Sequence, residues 1–322
     1  MDKLRGIFLP FPTPFDSEGE VNARALRSNI ERWNETGAAG YVALGSTGER
    51  VHLSERERFH VIETARSAVP EELTFVVGVG EQSTRATVDE ARRVAALGAD
   101  ALLVITPHFY RSQMTTDALV AHYEAVADSS PAPVILYSVP QNTGVALAPE
   151  AVARLSAHPN VVGLKDSSGD FVNFMETARL VGERLANGSD ESADGRGESF
   201  ALLTGHASTL YAALATGARG GILAAACVAP RLCVEIYEAF VVGDAARARA
   251  LQAALVPLAR AVTTRYGIGG LKAALDAAGY AGGAVRAPLS APVEEARREI
   301  ARLVEECESR TASARTAAGR VE

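Results

Sequence analysis

Eight short apolar runs recur along the chain, and each is followed by a stretch with helical periodicity. The runs lie at residues 6–10, 41–44 (YVAL), 74–79 (TFVVGV), 101–105 (ALLVI), 134–137 (VILY), 161–164 (VVGL), 200–203 (FALL) and 220–223 (GGIL). Continuous apolar runs, rather than alternating ones, belong to strands buried on both faces, and the intervening amphipathic stretches supply the covering helices. Leu26, Ile30 and Trp33 mark one such helical face, within 23–36; others span 53–69, 83–97 and 115–127. Most strand starts fall roughly 30 residues apart, the length of one strand–helix unit.

Local signals agree with this division. Ser54 precedes Glu57 as a capping box, Ser83 and Thr115 stand where N-caps belong, and Pro149 suits a first helical position. Gly37, Gly98 and Gly217 are placed to end helices. Eight parallel strand–helix units predict an α/β fold, a (β/α)8 TIM barrel. An open doubly wound sheet would carry a GxGxxG turn after its first strand, and Gly78 and Gly80 lack the third glycine.

The barrel is expected within residues 1–230. Helical patterns at 231–242, 245–262, 271–278 and 293–307 predict C-terminal helices packed on it through 308. Residues 309–322 have little apolar content and are expected to fray. The Gly-, Ser- and acid-rich stretch 187–198 reads as a solvated loop.

The net charge of -7 removes any global basic field, so neither nucleic acid nor a membrane surface is an expected partner. Cys227, Cys233 and Cys307 are odd in number and form no CxxC pair, which fits a reducing, cytoplasmic setting. No secretory leader or spanning run is read in the chain. The six histidines form no HxxxH or HxH pair; His122 and His158 read as helix-surface residues, and no metal is expected.

In a barrel of this kind chemistry gathers where the strands end. That rule selects GSTGE (45–49), TPHFY (106–110), YSVP (137–140), KDSS (165–168) and Gly205-His206. Lys165 continues directly from the apolar run VVGL. An amine withdrawn from water is favoured in its neutral, nucleophilic form and can make a Schiff base with a carbonyl. Alternatively, Lys165 is an ordinary ion-pair partner of Asp166 or Glu49. Tyr137 ends the neighbouring strand, where a phenol can pass a proton to and from a substrate hydroxyl. The loop amides and hydroxyls of GSTGE suit a carboxylate.

Together GSTGE, YSVPQNTG and GLKDSSGD resemble the dihydrodipicolinate synthase and N-acetylneuraminate lyase superfamily of class I pyruvate-dependent aldolases, over residues 5–300. YSVPQNTG, LSAHPNVVGLKDSSGD and RYGIGGLKAALDAAGYAGGAVRAPL are most similar to its 4-hydroxy-2-oxoglutarate aldolase branch. The resemblance implies Lys165 as the Schiff-base lysine, Tyr137 as the proton-transfer residue and Ser46 as its relay hydroxyl. It implies Thr47 as the group holding the pyruvate carboxylate, with Ser167, Gly205 and Ile222 lining the site. It further implies a 2-oxo acid substrate, no cofactor beyond the lysine imine, and a homotetramer built as a dimer of dimers.

Two positions depart from the resemblance. Synthases that condense pyruvate with aspartate semialdehyde carry an arginine after the VP motif, where this chain has Asn142. Many relatives place a tyrosine that crosses a subunit interface where this chain has Phe109, followed by Tyr110. The expected activity is retro-aldol cleavage of a 4-hydroxy-2-oxo acid. The alternatives are a condensing enzyme or a sugar-acid dehydratase using the same imine, or a non-catalytic 2-oxo acid sensor. Asn142, Phe109, Tyr110 and His206 are expected to select the aldehyde half of the substrate.

Overall fold

A computed structural model describes residues 3–187 and 200–318. The stretch expected to be a solvated loop, 187–198, lies almost entirely outside the described residues.

The expected strands form, and they close. β1 (Gly6–Leu9), β2 (Gly40–Ala43), β3 (Thr74–Val79), β4 (Ala101–Ile105), β5 (Val134–Ser138), β6 (Val161–Asp166), β7 (Ala201–Thr204) and β8 (Gly220–Ile222) pair in sequence order, and β8 returns to β1. Every pairing is parallel. The chain is therefore a (β/α)8 TIM barrel.

The helices that cover it are α1 (Ala23–Trp33), α2 (Glu55–Arg66), α3 (Thr84–Ala96), α4 (Thr116–Ser129), the single turn α5 (Pro140–Thr143), α6 (Pro149–Leu155), α7 (Phe171–Asn187) and α8 (Leu210–Ala215). The capping signals act as read: Ser54 and Glu57 form a reciprocal capping box, and the Ser83 and Thr115 hydroxyls accept from Ala86 and Ala118.

Alternation along each strand divides the core in two. Phe8, Val42, Val76, Leu103, Ile135, Tyr137, Leu203 and Ile222 fill the barrel interior. Leu9, Tyr41, Ala43, Phe75, Val77, Leu102, Val104 and Leu136 face the helices. One irregularity matters for function. Against β5, β6 skips a residue between Val161 and Gly163, so Leu164 packs in the outer layer and the next residue, Lys165, pairs with Tyr137. Gly163 has no alternative there, because a Cβ would stand 2.6 Å from the Ala201 carbonyl oxygen.

After β8 come α9 (Pro230–Val241), α10 (Ala245–Arg260), α11 (Gly267–Ala277) and α12 (Glu294–Ala318). α10 packs on both α9 and α12, and α11 packs on α12. The tail expected to fray from Ser309 is instead helical as far as Ala318. Thr311 is buried there and its hydroxyl donates to the Cys307 carbonyl at 2.6 Å, so the helix keeps a packed face beyond its last large apolar residue. Among the described residues no helix is long and apolar enough to cross a membrane.

His122 departs from its expected place on the helix surface. It is 6% exposed, on the face of α4 that also buries Leu119, Tyr123 and Val126, with Nδ1 2.9 Å from the Thr84 hydroxyl. Burial pushes its pKa down from 6.5 to about 4. The unfolded chain thus takes up this proton at higher pH than the folded one. The contribution is whole above pH 6.5 and is lost as pH falls toward 4. In urea titrations from pH 7 to pH 4, His122→Gln is expected to flatten the loss of stability on acidification; a slope equal to wild type would contradict this.

Candidate active site

The C-terminal ends of β2, β5, β6 and β7 bring most of the expected groups together. Tyr137 and Lys165 are register partners across β5 and β6, and the Lys165 Nζ lies 4.4 Å from the centre of the Tyr137 ring. The Lys165 side chain is 3% exposed. Neither candidate ion-pair partner takes it. Glu49 pairs with Lys272, and an Asp166 oxygen accepts from the Ser168 backbone N–H at 2.6 Å. Burial also raises the Asp166 carboxyl above its ordinary range. Among the described residues no carboxylate lies in ion-pair contact with Lys165.

The Tyr137 and Ser46 hydroxyls are 3.1 Å apart, so the phenol has a hydroxyl partner on the loop after β2. That loop makes two 3₁₀ turns, and the first, Ser46–Gly48, has Thr47 buried inside it. Two non-glycine residues with left-handed backbone bracket the turn, Leu44 at φ 56° and Glu49 at φ 54°. Such conformations cost on the order of 1 kcal/mol or more each and persist only where the surroundings hold them. Part of that hold comes from the Thr13 hydroxyl, which donates to the Gly48 carbonyl at 2.7 Å.

On the other side, the Ser167 N–H donates to Ser138 O at 2.8 Å and Gly205 N–H to Asp166 O at 2.6 Å, locking the ends of β5, β6 and β7 together. A Cβ on residue 205 would stand 2.0 Å from the Ser167 Oγ and, whatever that hydroxyl's rotamer, 2.9 Å from the Ser167 Cβ and 3.0 Å from the Asp166 carbonyl oxygen, which disfavours any larger residue there. Ile222 is buried in the barrel interior with Tyr137. His206 Nε2 contacts the Ser167 carbonyl at 3.1 Å and helps line a smaller cavity of about 130 Å³ with Asp166, Phe171 and Thr204.

A cavity of about 560 Å³ opens over the mouth, with Ser46, Tyr137, Asn142, Leu103, Ile105 and His108 on its wall. Phe109 and Tyr110 are not on that wall. They are 74% and 69% exposed and pack edge to face on one another, 5.1 Å between centres. Within one chain, neither supplies a relay group to Ser46 or Tyr137.

Sequence reasoning passed over Arg50 and Arg58, which also line the cavity. Both guanidiniums are committed: Arg50 Nη2 to Glu90 at 2.6 Å and Glu81 at 3.1 Å, Arg58 Nη1 to Glu81 at 2.8 Å and Glu90 at 3.1 Å. Nothing in their local sequence separates them from solvated residues, because their partners follow in a later strand–helix unit. Among the described residues no group of three or more His, Cys, Asp or Glu side chains could hold a metal ion.

An amine without a carboxylate partner, packed on a phenol that has its own hydroxyl partner, can form an imine and move a proton next to it. Known proteins share this arrangement of the chain. Residues 3–307 match the model of the dihydrodipicolinate synthetase family. The chain is 35% identical over 292 residues to a 4-hydroxy-tetrahydrodipicolinate synthase of Methanothrix thermoacetophila, covering 91% of this chain and 93% of the relative. Its identity to the enzyme of that name from Methanoculleus marisnigri is 36% over 303 residues, with 94% and 98% covered. Among solved structures, a dihydrodipicolinate synthase from Thermotoga maritima superposes with a TM-score of 0.87 at 26% identity, covering 94% of this chain and 98% of that one. One from Acinetobacter baumannii, complexed with pyruvate, gives 0.84 at 26% identity, with 95% and 99% covered. On a match that spans nearly all of its length, the chain belongs to the dihydrodipicolinate synthetase family, pyruvate-dependent class I enzymes that form or cleave carbon–carbon bonds through a lysine Schiff base without a further cofactor.

Proposed function

We propose that this enzyme cleaves a 4-hydroxy-2-oxo acid, such as 4-hydroxy-2-oxoglutarate, to pyruvate and an aldehyde, with Lys165 as the Schiff-base residue. The amine attacks the C2 carbonyl, and the carbinolamine loses water to leave an iminium; the Tyr137 phenol gives that water its proton. The resulting phenolate, held by the Ser46 hydroxyl, takes the proton of the C4 hydroxyl. The C3–C4 bonding electrons move into the iminium, the aldehyde departs, and an enamine remains. Tyr137 returns the proton to C3, and water hydrolyses the resulting iminium to free pyruvate and the Lys165 amine, the proton released restoring the Tyr137 phenol. Thr47 and the loop amides hold the C1 carboxylate throughout.

The observation that favours cleavage is Asn142 on the cavity wall. Condensing enzymes that the chain resembles hold the second carboxylate of their substrate with an arginine there. An amide offers no bidentate, charged clamp. Condensation of pyruvate with aspartate semialdehyde is the second reading, and the names of the relatives at 35% and 36% identity favour it. Purified enzyme is to be given each substrate in turn. Release of pyruvate and glyoxylate from 4-hydroxy-2-oxoglutarate, with condensation slower by about a hundredfold or more in kcat/KM, is expected from one lost charged clamp of roughly 3 kcal/mol. Faster condensation than cleavage would reverse the assignment. Asn142→Arg should narrow the gap by raising the condensation rate.

The same reading includes a dimer of dimers, supported by the exposed Phe109–Tyr110 edge, which a second subunit would cover. One structural relative is described as a monomeric dihydrodipicolinate synthase variant, so sedimentation of this chain decides the point. A cytoplasmic location is supported by three cysteines that are all free and buried.

A further inference from the structure

The residue that follows the Ser46–Gly48 turn is tied to the far end of the chain. Glu49 Oε1 is 2.5 Å from Lys272 Nζ, and the two side chains are 1% and 2% exposed. Glu49 Oε2 accepts from the Arg286 backbone N–H at 3.2 Å and lies 3.3 Å from His52 Nδ1. Lys272 also donates to the Ala284 carbonyl at 2.5 Å and sits 4.4 Å from the Phe15 ring centre. Arg286 stands 4.3 Å from the same ring, donates to Gly19 O and His52 O, and pairs with Glu57.

This cluster contributes nothing to the cavity wall: none of Glu49, His52, Glu57, Lys272 and Arg286 lines it. Nor is it an obvious stabiliser, because a buried ion pair is often no better for stability than apolar residues of the same volume. What it does hold is geometry. Glu49 is a non-glycine residue with a left-handed backbone, one peptide beyond the turn that carries Ser46 and Thr47.

We infer that Glu49 and Lys272, with the 284–286 segment, are positioning residues: the C-terminal helices set the placement of the carboxylate-binding turn through a buried ion pair. The inference rests on the proposed function, in which that turn holds the C1 carboxylate. Neither residue touches substrate. Moving the turn would displace both the Thr47 carboxylate contact and the Ser46 partner of Tyr137, so KM and kcat should change together.

The test uses Glu49→Gln, Lys272→Met and the double variant, with thermal unfolding, steady-state kinetics and the pyruvate concentration that half-saturates borohydride trapping. Each single variant leaves one buried charge unpaired and should unfold at lower temperature. The double variant removes both charges and should recover most of that loss. Its half-saturating pyruvate concentration is nonetheless expected to stay about tenfold or more above wild type, with kcat lowered. Recovery of wild-type kinetics together with stability would overturn the inference and leave a structural pair. Wild-type protein supplies a second readout that needs no variant to fold. Pyruvate should slow amide exchange in peptides from the 45–49 loop and, with it, in peptides from 272–286; protection confined to the loop would also overturn the inference. If wild type does not trap pyruvate on Lys165 at all, the proposed function fails instead.

Discussion

Lys165→Met is expected to lose at least about 10⁴-fold in turnover while folding as well as wild type, or better. The loss follows from removing the only nucleophile the proposed reaction has; 10⁴ corresponds to roughly 5.4 kcal/mol of transition-state stabilisation. The stability expectation follows from burial. Lys165 is 3% exposed and has no carboxylate partner among the described residues, so in the resting enzyme its amine is a polar group withdrawn from water for the sake of chemistry. Methionine fills nearly the same volume without that cost, a trade of function for stability common at active sites. Turnover measured beside thermal unfolding checks both halves. A variant that kept a tenth of wild-type activity would remove Lys165 from the mechanism.

Tyr137→Phe carries the second large effect. The ring that packs 4.4 Å from Lys165 is retained, and only the oxygen that meets Ser46 at 3.1 Å is lost. General acid–base groups are typically worth about 10² to 10⁴ in rate, so kcat should fall within that range. Imine formation with pyruvate should persist more slowly, which separates the proton-transfer role from simple disruption of the lysine. Ser46→Ala acts only through the phenol and should cost less, about tenfold. If Tyr137→Phe stayed within a factor of about three in kcat, the proton would have to travel by another group.

The barrel was legible because its signal is local. Eight continuous apolar runs and their capped helices can be read from neighbouring residues, and the closed sheet follows from their number. Lys165 and Tyr137 were legible for a related reason: each stands at the end of such a run, where barrel topology dictates direction. What could not be read depends on partners far along the chain. Lys165 had two possible carboxylate partners, and only the folded chain shows one of them, Glu49, taken by Lys272, 223 positions away in sequence. Arg50 and Arg58 look like solvated residues until Glu81 and Glu90 arrive from the next strand–helix unit. His122 is polar by type yet falls on the buried face of α4, because Thr84 on α3 offers its ring a hydroxyl. The tail from Ser309 was expected to fray on composition, but composition does not show that Thr311 packs.

Trapping the imine tests the central claim most directly. Wild-type protein is incubated with pyruvate, reduced with borohydride, digested and analysed by peptide mass. A single reduced pyruvyl adduct is expected, on the peptide carrying Lys165, absent in Lys165→Met and not transferred to Lys272. No adduct, or one on any other lysine, would contradict the assignment of Lys165 as the Schiff-base residue of this enzyme.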